Sequence, residues 1–343
     1  MRIKNKYLKL KAPLKVTFNV TNKCNFKCIH CYNSSGENID INKDELNSEE
    51  IKKALEELKK MEVYLISING GEPFLRKDIL EILSIAKKLG FIINLNTNGS
   101  LITKKIARQI VKIGIKNIDI SFQANSSKNF KIFTKCNKYS KVIAGIKNLI
   151  NVGIIPSLAF TITTKNAKWL PLTIKEAGLL GINTIHTIVL IERGRAIKGK
   201  LAVNMSELKN IYSQAIESGK KYNINLFLDC PFNLHEKLIS SNFKNIEMDK
   251  GCFGGRYLMC IQSNGNVTPC ALFPEYVVGN IRENRIIDIW NSPKMPVLSM
   301  KKYKLPNFCN NCKNLYSCYG GCPTSNFLFN KFLPDNFCPY FNN

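Results

Sequence analysis

The chain has 343 residues, with 50 Lys and Arg against 25 Asp and Glu, a formal charge of +25. That length exceeds a usual domain of about 100–200 residues, so one large α/β domain with an appendage, or two domains, is expected. No run of about 18 or more apolar residues marks a membrane span, and the basic start, Met1–Val20, lacks an apolar core with a cleavage site. No membrane association is therefore expected, and the expected location is cytoplasmic.

Short apolar runs then alternate with amphipathic stretches. Leu14–Val20 is a strand candidate. Ser48–Met61 spaces its apolar residues as a helix does, with Ser48 as the expected cap and Glu49 and Glu50 in the first turn. Val63–Gly70 is a second strand, and Lys77–Gly90 a helix stopped by Gly90. The alternation continues with strands at Phe91–Gly99, Ile115–Gln123, Ile154–Thr163, Ile182–Leu190 and Asn223–Leu228. Helices are expected between them at Lys104–Gly114, Ser140–Gly153, Leu170–Gly181 and Glu207–Tyr222. Such alternation builds a parallel sheet from βα units. About six units fit before Asp229, and closure needs eight. The fold class expected is α/β: a partial (β/α)6 TIM-like barrel, open on one side to admit a large substrate.

Beyond Asn233 helical periodicity fades, and Gly, Pro, Asn, aromatics and Cys dominate. Tyr257–Cys270 reads as a hairpin around Asn264-Gly265. A loop-rich segment of this size needs metal staples. The expected division is residues 12–230 and 231–343.

The lysines are scattered through every expected helix, with no block of five or six like charges, so the positive surplus reads as solvated surface. Nucleic acid is therefore not the expected partner, although a basic groove for an acidic substrate stays open. The 13 cysteines are an odd number without a secretion signal, and short-spaced cysteines in that setting read as metal ligands.

Cys24, Cys28 and Cys31 follow the first strand, on a loop at the sheet edge where α/β active sites lie. A closed zinc site takes four ligands. Three thiolates leave one position open, as a cluster iron with an exogenous ligand requires. The alternative is a zinc knuckle with His30 as its fourth ligand. Cys-x3-Cys-x2-Cys here resembles the fingerprint of the radical S-adenosylmethionine (SAM) superfamily, with His30 in the usually aromatic place. Ile68–Arg76, after the second strand, resembles that family's segment for the SAM amino group, which assigns Gly70, Gly71 and Glu72 to it. Asn96–Gly99 and Ile120–Gln123 resemble segments that contact the SAM ribose or carboxylate, which singles out Asn98, Ser121 and Gln123. Each of these three is also explained as a polar strand-end residue. Glu192–Ala196 resembles a Gly-Arg-Ala segment, with Arg195 as a carboxylate partner.

Cys252, Gly265, Cys270, then Cys309-x2-Cys312-x5-Cys318-x3-Cys322, and finally Cys338, resemble the seven-cysteine SPASM extension. The resemblance implies two auxiliary 4Fe–4S clusters besides the SAM-binding one. Cys252, Cys270 and Cys322 would hold the first auxiliary cluster, and Cys309, Cys312, Cys318 and Cys338 the second. Cys260 either supplies the first cluster's fourth ligand or is a buried strand thiol. Cys230 ends the last barrel strand and is a candidate hydrogen-atom donor, the alternative being a packing residue. Cys136 has no assigned role.

The resemblance implies reductive cleavage of SAM to a 5′-deoxyadenosyl radical, which takes a hydrogen atom from substrate. An electron donor such as flavodoxin or ferredoxin is implied as a partner. The first expectation for substrate is a ribosomally made peptide that is crosslinked or epimerised, docking directly or through a separate recognition protein. The enzyme alternative is a tetrapyrrole of the haem pathway, and a further one is a zinc-stabilised nucleic-acid-binding protein. Ala271 follows Cys270 where sulfatase-oxidising relatives carry Asp, which argues against sulfatase maturation.

Overall fold

In a computed structural model, the structure describes residues 10–37, 44–228 and 252–295, with 309, 311, 312, 322 and 324. Seven strands run parallel: β1 (Lys15–Asn19), β2 (Leu65–Asn69), β3 (Ile92–Thr97), β4 (Asn117–Ser121), β5 (Ser157–Ile162), β6 (Thr184–Val189) and β7 (Asn225–Leu228). Helices α1 (Ser48–Lys60), α2 (Ile79–Lys88), α3 (Lys104–Ile113), α4 (Ser127–Thr134), α5 (Tyr139–Ile150), α6 (Leu170–Leu179) and α7 (Met205–Tyr222) connect them. Among the described residues the sheet does not close: with β8 (Leu258–Ile261), β9 (Asn266–Thr268) and β10 (Gly279–Asn280) its order runs β10-β9-β8-β1-β2-β3-β4-β5-β6-β7. This is the open partial barrel expected from the βα alternation.

Strand periodicity sorts the residues. Val16, Phe18, Ile66, Ile68, Ile93, Leu95, Ile118, Ile120, Leu158, Phe160 and Ile185 are buried in one core with the apolar stripes of the helices. Burial contributes about 1.5–3 kcal/mol for each such side chain. The alternate positions carry Lys15, Asn69, Asn94, Asn96, Asp119, Ala159 and His186, all only partly buried. A closed barrel fills that inner face with branched apolar residues. Here it is polar and open.

Three local features depart from the sequence expectations. Asn47, rather than Ser48, caps α1: its side chain accepts from the Glu50 N–H, and Glu50 accepts from the Asn47 N–H. Ser48 is already helical, and its hydroxyl donates to Asp78 at 2.6 Å. Helix α4 follows β4 directly and was not expected from its mixed pattern. The hairpin around Gly265 forms, with Cys260 opposite Thr268 and Ile261 opposite Val267 in β8 (Leu258–Ile261) and β9 (Asn266–Thr268). Gly265 takes φ +85°, which favours glycine. However, β8 also pairs in parallel with β1, so the C-terminal segment extends the barrel sheet rather than standing apart as loops. β10 (Gly279–Asn280) completes this edge, and α8 (Ile286–Asn291) brings Trp290, whose indole donates to the Leu10 carbonyl at 3.0 Å. Among the described residues, no helix is long and apolar enough to cross a membrane.

Candidate active site

The loop after β1 is held from four directions. Glu45 accepts from the Thr21 hydroxyl at 2.8 Å and the Asn22 N–H at 2.6 Å. The end of α4 accepts from the Lys27 and Ile29 N–H groups, each at 3.0 Å, through the carbonyls of Thr134 and Phe133. The turn after β2 donates from Gly71 N to Thr21 O and from Glu72 N to Lys23 O, each at 2.8 Å. The turn after β6 donates from Arg195 N to Cys31 O at 3.0 Å, while the Arg195 side chain reaches Cys28 O at 2.8 Å and Ser35 O at 3.1 Å. Close approach needs glycine at two of these contacts. A Cβ on Gly71 would lie 2.1 Å from the Lys23 carbonyl oxygen, and one on Gly194 would lie 2.5 Å from those of Cys31 and Tyr32.

This packing gathers Cys24, Cys28 and Cys31. All three are free thiols; Cys28 feels the charges of Cys31 and Cys24, and Cys24 that of Cys31. Burial pushes the Cys24 thiol up to about 11 and the Cys28 thiol higher still. Metal binding displaces such protons, and thiolates hold iron–sulfur clusters. Cys24 also accepts the Phe26 N–H at 3.4 Å. The same contact, from the N–H two residues on, recurs at Cys252 from Gly254 at 3.4 Å and at Cys270 from Leu272. Cys252, Cys270 and Cys322 lie near one another: Cys270 feels the charges of Cys252 and Cys322, and Cys252 that of Cys322. Hydrogen bonds to sulfur and grouped, deprotonatable thiols fit cluster ligation.

Cys260 lies near the second set, since Cys270 feels its charge. It is buried in β8, its sulfur accepting from Asn19 at 3.6 Å and Gln262 at 3.5 Å, and burial pushes its thiol up to about 12. Its place inside β8, between β1 and β9 and fully buried, fits the buried strand thiol better than a loop-borne cluster ligand. Cys309 and Cys312 lie together, with Cys312 N donating to Cys309 O at 3.1 Å. Cys318, Cys338 and Cys230 lie outside the described residues. Cys136 sits beside the first loop, its sulfur 3.9 Å from Asn25 O.

The residues nominated for SAM divide in two. Gly70 (φ +142°), Gly71 and the exposed Ser121 present themselves at the strand ends. The others are spent on the chain itself. Glu72 is fully buried, its carboxylate accepting from Thr97 at 2.8 Å, Asn98 N at 2.7 Å and Phe74 N at 3.2 Å. Burial raises it to about 6, with those donors working in the opposite direction. Asn98 donates to Asn25 at 2.8 Å and accepts from Ser100 at 2.7 Å. Gln123 donates to Ala159 O at 3.2 Å and accepts from Thr161 N at 2.7 Å, so its amide extends the β4–β5 ladder. Arg195 is the clasp described above and also meets Glu37 at 3.1 Å. His30 packs on Phe133 at a tilt, ring centroids 4.8 Å apart, with Nδ1 buried and without a hydrogen-bond partner among the described residues. Burial, then the Arg195 charge, hold its pKa at about 3, so the ring is neutral.

Sequence reasoning missed the carboxamide rack on the inner face. Asn96 donates to Asn69 at 2.6 Å and Ser67 at 3.1 Å, and Asn19 donates to Gln262 at 2.8 Å. Tyr32, next to Cys31, engages Asn19 and Asn69, and burial pushes its phenol well above the usual range. Farther along, Asn94 donates to Asp119 at 2.8 Å, and His186 lies 4.0 Å from Asp119 and stacks on Phe227 at 4.8 Å. The period-two polar residues of β1 to β3 were the available signal for this surface.

Three thiols on the loop at the C-terminal edge of an open parallel sheet, and three more in the segment that extends it past β1, are the donor types that iron–sulfur clusters take. Residues 18–168 match the radical SAM superfamily, and residues 252–313 match the SPASM iron–sulfur cluster-binding domain. The chain is 26% identical to Fe-coproporphyrin III synthase of Methanosarcina barkeri, over 92% of this chain and 84% of that protein. It is 24% identical to the mycofactocin maturase MftC of Mycobacterium tuberculosis, over 93% of this chain and 80% of that one. SuiB of Streptococcus suis, solved bound to S-adenosylmethionine, shares the fold at a TM-score of 0.80, with 22% identity over 97% of this chain and 78% of that one. The chain carries a radical SAM domain and a SPASM iron–sulfur cluster-binding domain. Its cofactors are 4Fe–4S clusters and SAM, and the zinc-protein alternative gives way to them.

Proposed function

We propose that this radical SAM enzyme modifies a peptide. The observation that supports this most is the inner face of the sheet. Asn69, Asn94 and Asn96 line it with half-buried carboxamides, while Asn19 and Gln262 are buried behind them and pair with each other. A carboxamide both donates and accepts, which matches peptide amides. Cys24, Cys28 and Cys31 would hold the SAM-binding cluster, with Gly70, Gly71 and Ser121 at the edge where SAM docks. Bound there, cluster and SAM supply one-electron cleavage and hydrogen-atom abstraction. The chain's own part is to fix the loop through Glu45, Arg195 and the α4 carbonyls, and to hold substrate on the rack. Cys252, Cys270 and Cys322 would hold one auxiliary cluster, and Cys309 and Cys312, with Cys318 and Cys338, the other. This reading divides the chain into a core at 12–230 and an auxiliary domain at 231–343.

A tetrapyrrole is the second reading, favoured by the similarity to Fe-coproporphyrin III synthase across most of both chains. The test uses anaerobically reconstituted enzyme with dithionite and SAM. About twelve irons per chain and 5′-deoxyadenosine formation are expected. Loss of two hydrogen atoms from a short peptide encoded beside the gene, seen by mass spectrometry, supports the peptide reading. Saturable, stoichiometric binding of Fe-coproporphyrin III, with its formation from a tetrapyrrole precursor, overturns it.

A further inference from the structure

Arg193, in the turn after β6, is the most deeply buried cation with an unsatisfied donor among the described residues. It is 1% exposed. Its Nε donates to the Leu272 carbonyl at 3.0 Å, its Nη2 pairs with Glu275, and its guanidinium carbon lies 5.6 Å from the Phe273 ring centroid. Its Nη1 is buried and has no hydrogen-bond partner among the described residues. An idle buried donor costs about 1–3 kcal/mol, and more when charged. Such a group persists in a fold where an acceptor arrives on assembly.

The surroundings identify that acceptor. Leu272, which takes the Nε bond through its carbonyl, gives its own N–H to the Cys270 sulfur. The charges that Arg193 feels, after Glu275, are those of Cys322 and Cys270. The guanidinium therefore grips the turn carrying one thiol and stands beside a second. Cys252 completes this set. Thiolates bound to a cluster core leave a net negative charge in a buried place, which calls for a compensating cation. Arg195, two residues on, serves the first cysteine loop instead, so the two arginines of one turn face different thiol sets.

We propose that Arg193 tunes the auxiliary cluster held by Cys252, Cys270 and Cys322, donating through Nη1 to its sulfur atoms and raising its reduction potential. Reduction adds one negative charge to the cluster, and a fixed positive charge and N–H···S bonds stabilise the reduced form more than the oxidised one. Arg193 is a positioning residue here, not a catalytic one. The proposal rests on the assignment of those three cysteines to a cluster.

The test is a redox titration of full-length reconstituted protein, followed by electron paramagnetic resonance. A Cys24→Ala/Cys28→Ala/Cys31→Ala background leaves only the auxiliary signals. About eight irons in that background confirm the cluster assignment itself, and about four would fail it separately. In Arg193→Gln, one auxiliary cluster is expected to become at least tenfold harder to reduce, about 59 mV for one electron, while the other stays put. In Glu275→Gln the same cluster is expected to move the opposite way and by less, because Glu275 is 58% exposed and screened. Unchanged potentials in both variants at full iron content overturn the proposal. If Arg193→Gln sheds its cluster, Glu275→Gln decides, and no shift there overturns it. A raised KM for substrate with unchanged potentials also overturns it, assigning Nη1 to a substrate carboxylate.

Discussion

Gly71→Ala tests the idea that the turn after β2 buttresses the cysteine loop. The added Cβ would sit 2.1 Å from the Lys23 carbonyl oxygen and 2.6 Å from its carbon, both backbone atoms. Regaining a tolerable 3.0 Å means separating the two segments by about 0.9 Å. The two hydrogen bonds across this contact, each 2.8 Å, would stretch to about 3.7 Å, beyond useful range. Losing both costs about 2–4 kcal/mol, against a total stability of about 5–15 kcal/mol. The expected fall in Tm is about 3–6 °C for a chain of this length. Cys24 follows directly on Lys23, so the loop moves with it, and the iron content should fall by about four per chain. Calorimetry and iron–sulfide analysis read the two effects. Gly153→Ala is the control: nothing lies within 4 Å of its Cβ, so only the strain of φ +84° is added, about 1 kcal/mol. A Gly71→Ala protein with wild-type Tm and full iron would refute the buttress.

Gln123→Ala should cost about 1–3 kcal/mol of stability, through two lost bonds to β5, and leave SAM affinity unchanged. Weaker SAM binding at unaltered stability would return Gln123 to the cofactor. Glu72 is raised from 4.5 to about 6 in the folded state. The fold therefore binds its proton more tightly than the unfolded chain does, and this contribution is lost as pH rises through that interval, about 2 kcal/mol in all. Glu72→Gln should remove that slope in urea unfolding of the cofactor-free protein between pH 4.5 and 7; a wild-type-to-variant difference constant with pH contradicts it. Cys252→Ala should lose about four irons, whereas Cys260→Ala should keep full iron; equal losses would make Cys260 a ligand.

The alternation of strands and helices and the open barrel were legible in the sequence because each rests on short-range signals. Strand and helix periods span a few residues, and Cys-x3-Cys-x2-Cys brings its thiols together within one loop. Asn98 and Gln123 show where such signals end. As strand-end polar residues they suit a ligand or a neighbouring strand equally, and only the placement of Asn25 and of β5 beside them decides for the chain itself. Cys260 is the same case: its spacing from Cys252 and Cys270 allowed ligation, but pairing of β8 with β1 puts its sulfur among the amides of Asn19 and Gln262. Arg193 and Arg195 carry equal weight in the sequence and part company in space. By itself, then, the sequence determined the fold class, the cluster chemistry and the cofactor. Tertiary structure decided which polar side chains remain free for a ligand, because a hydrogen-bonding group is claimed by whichever partner the long-range packing brings within about 3 Å.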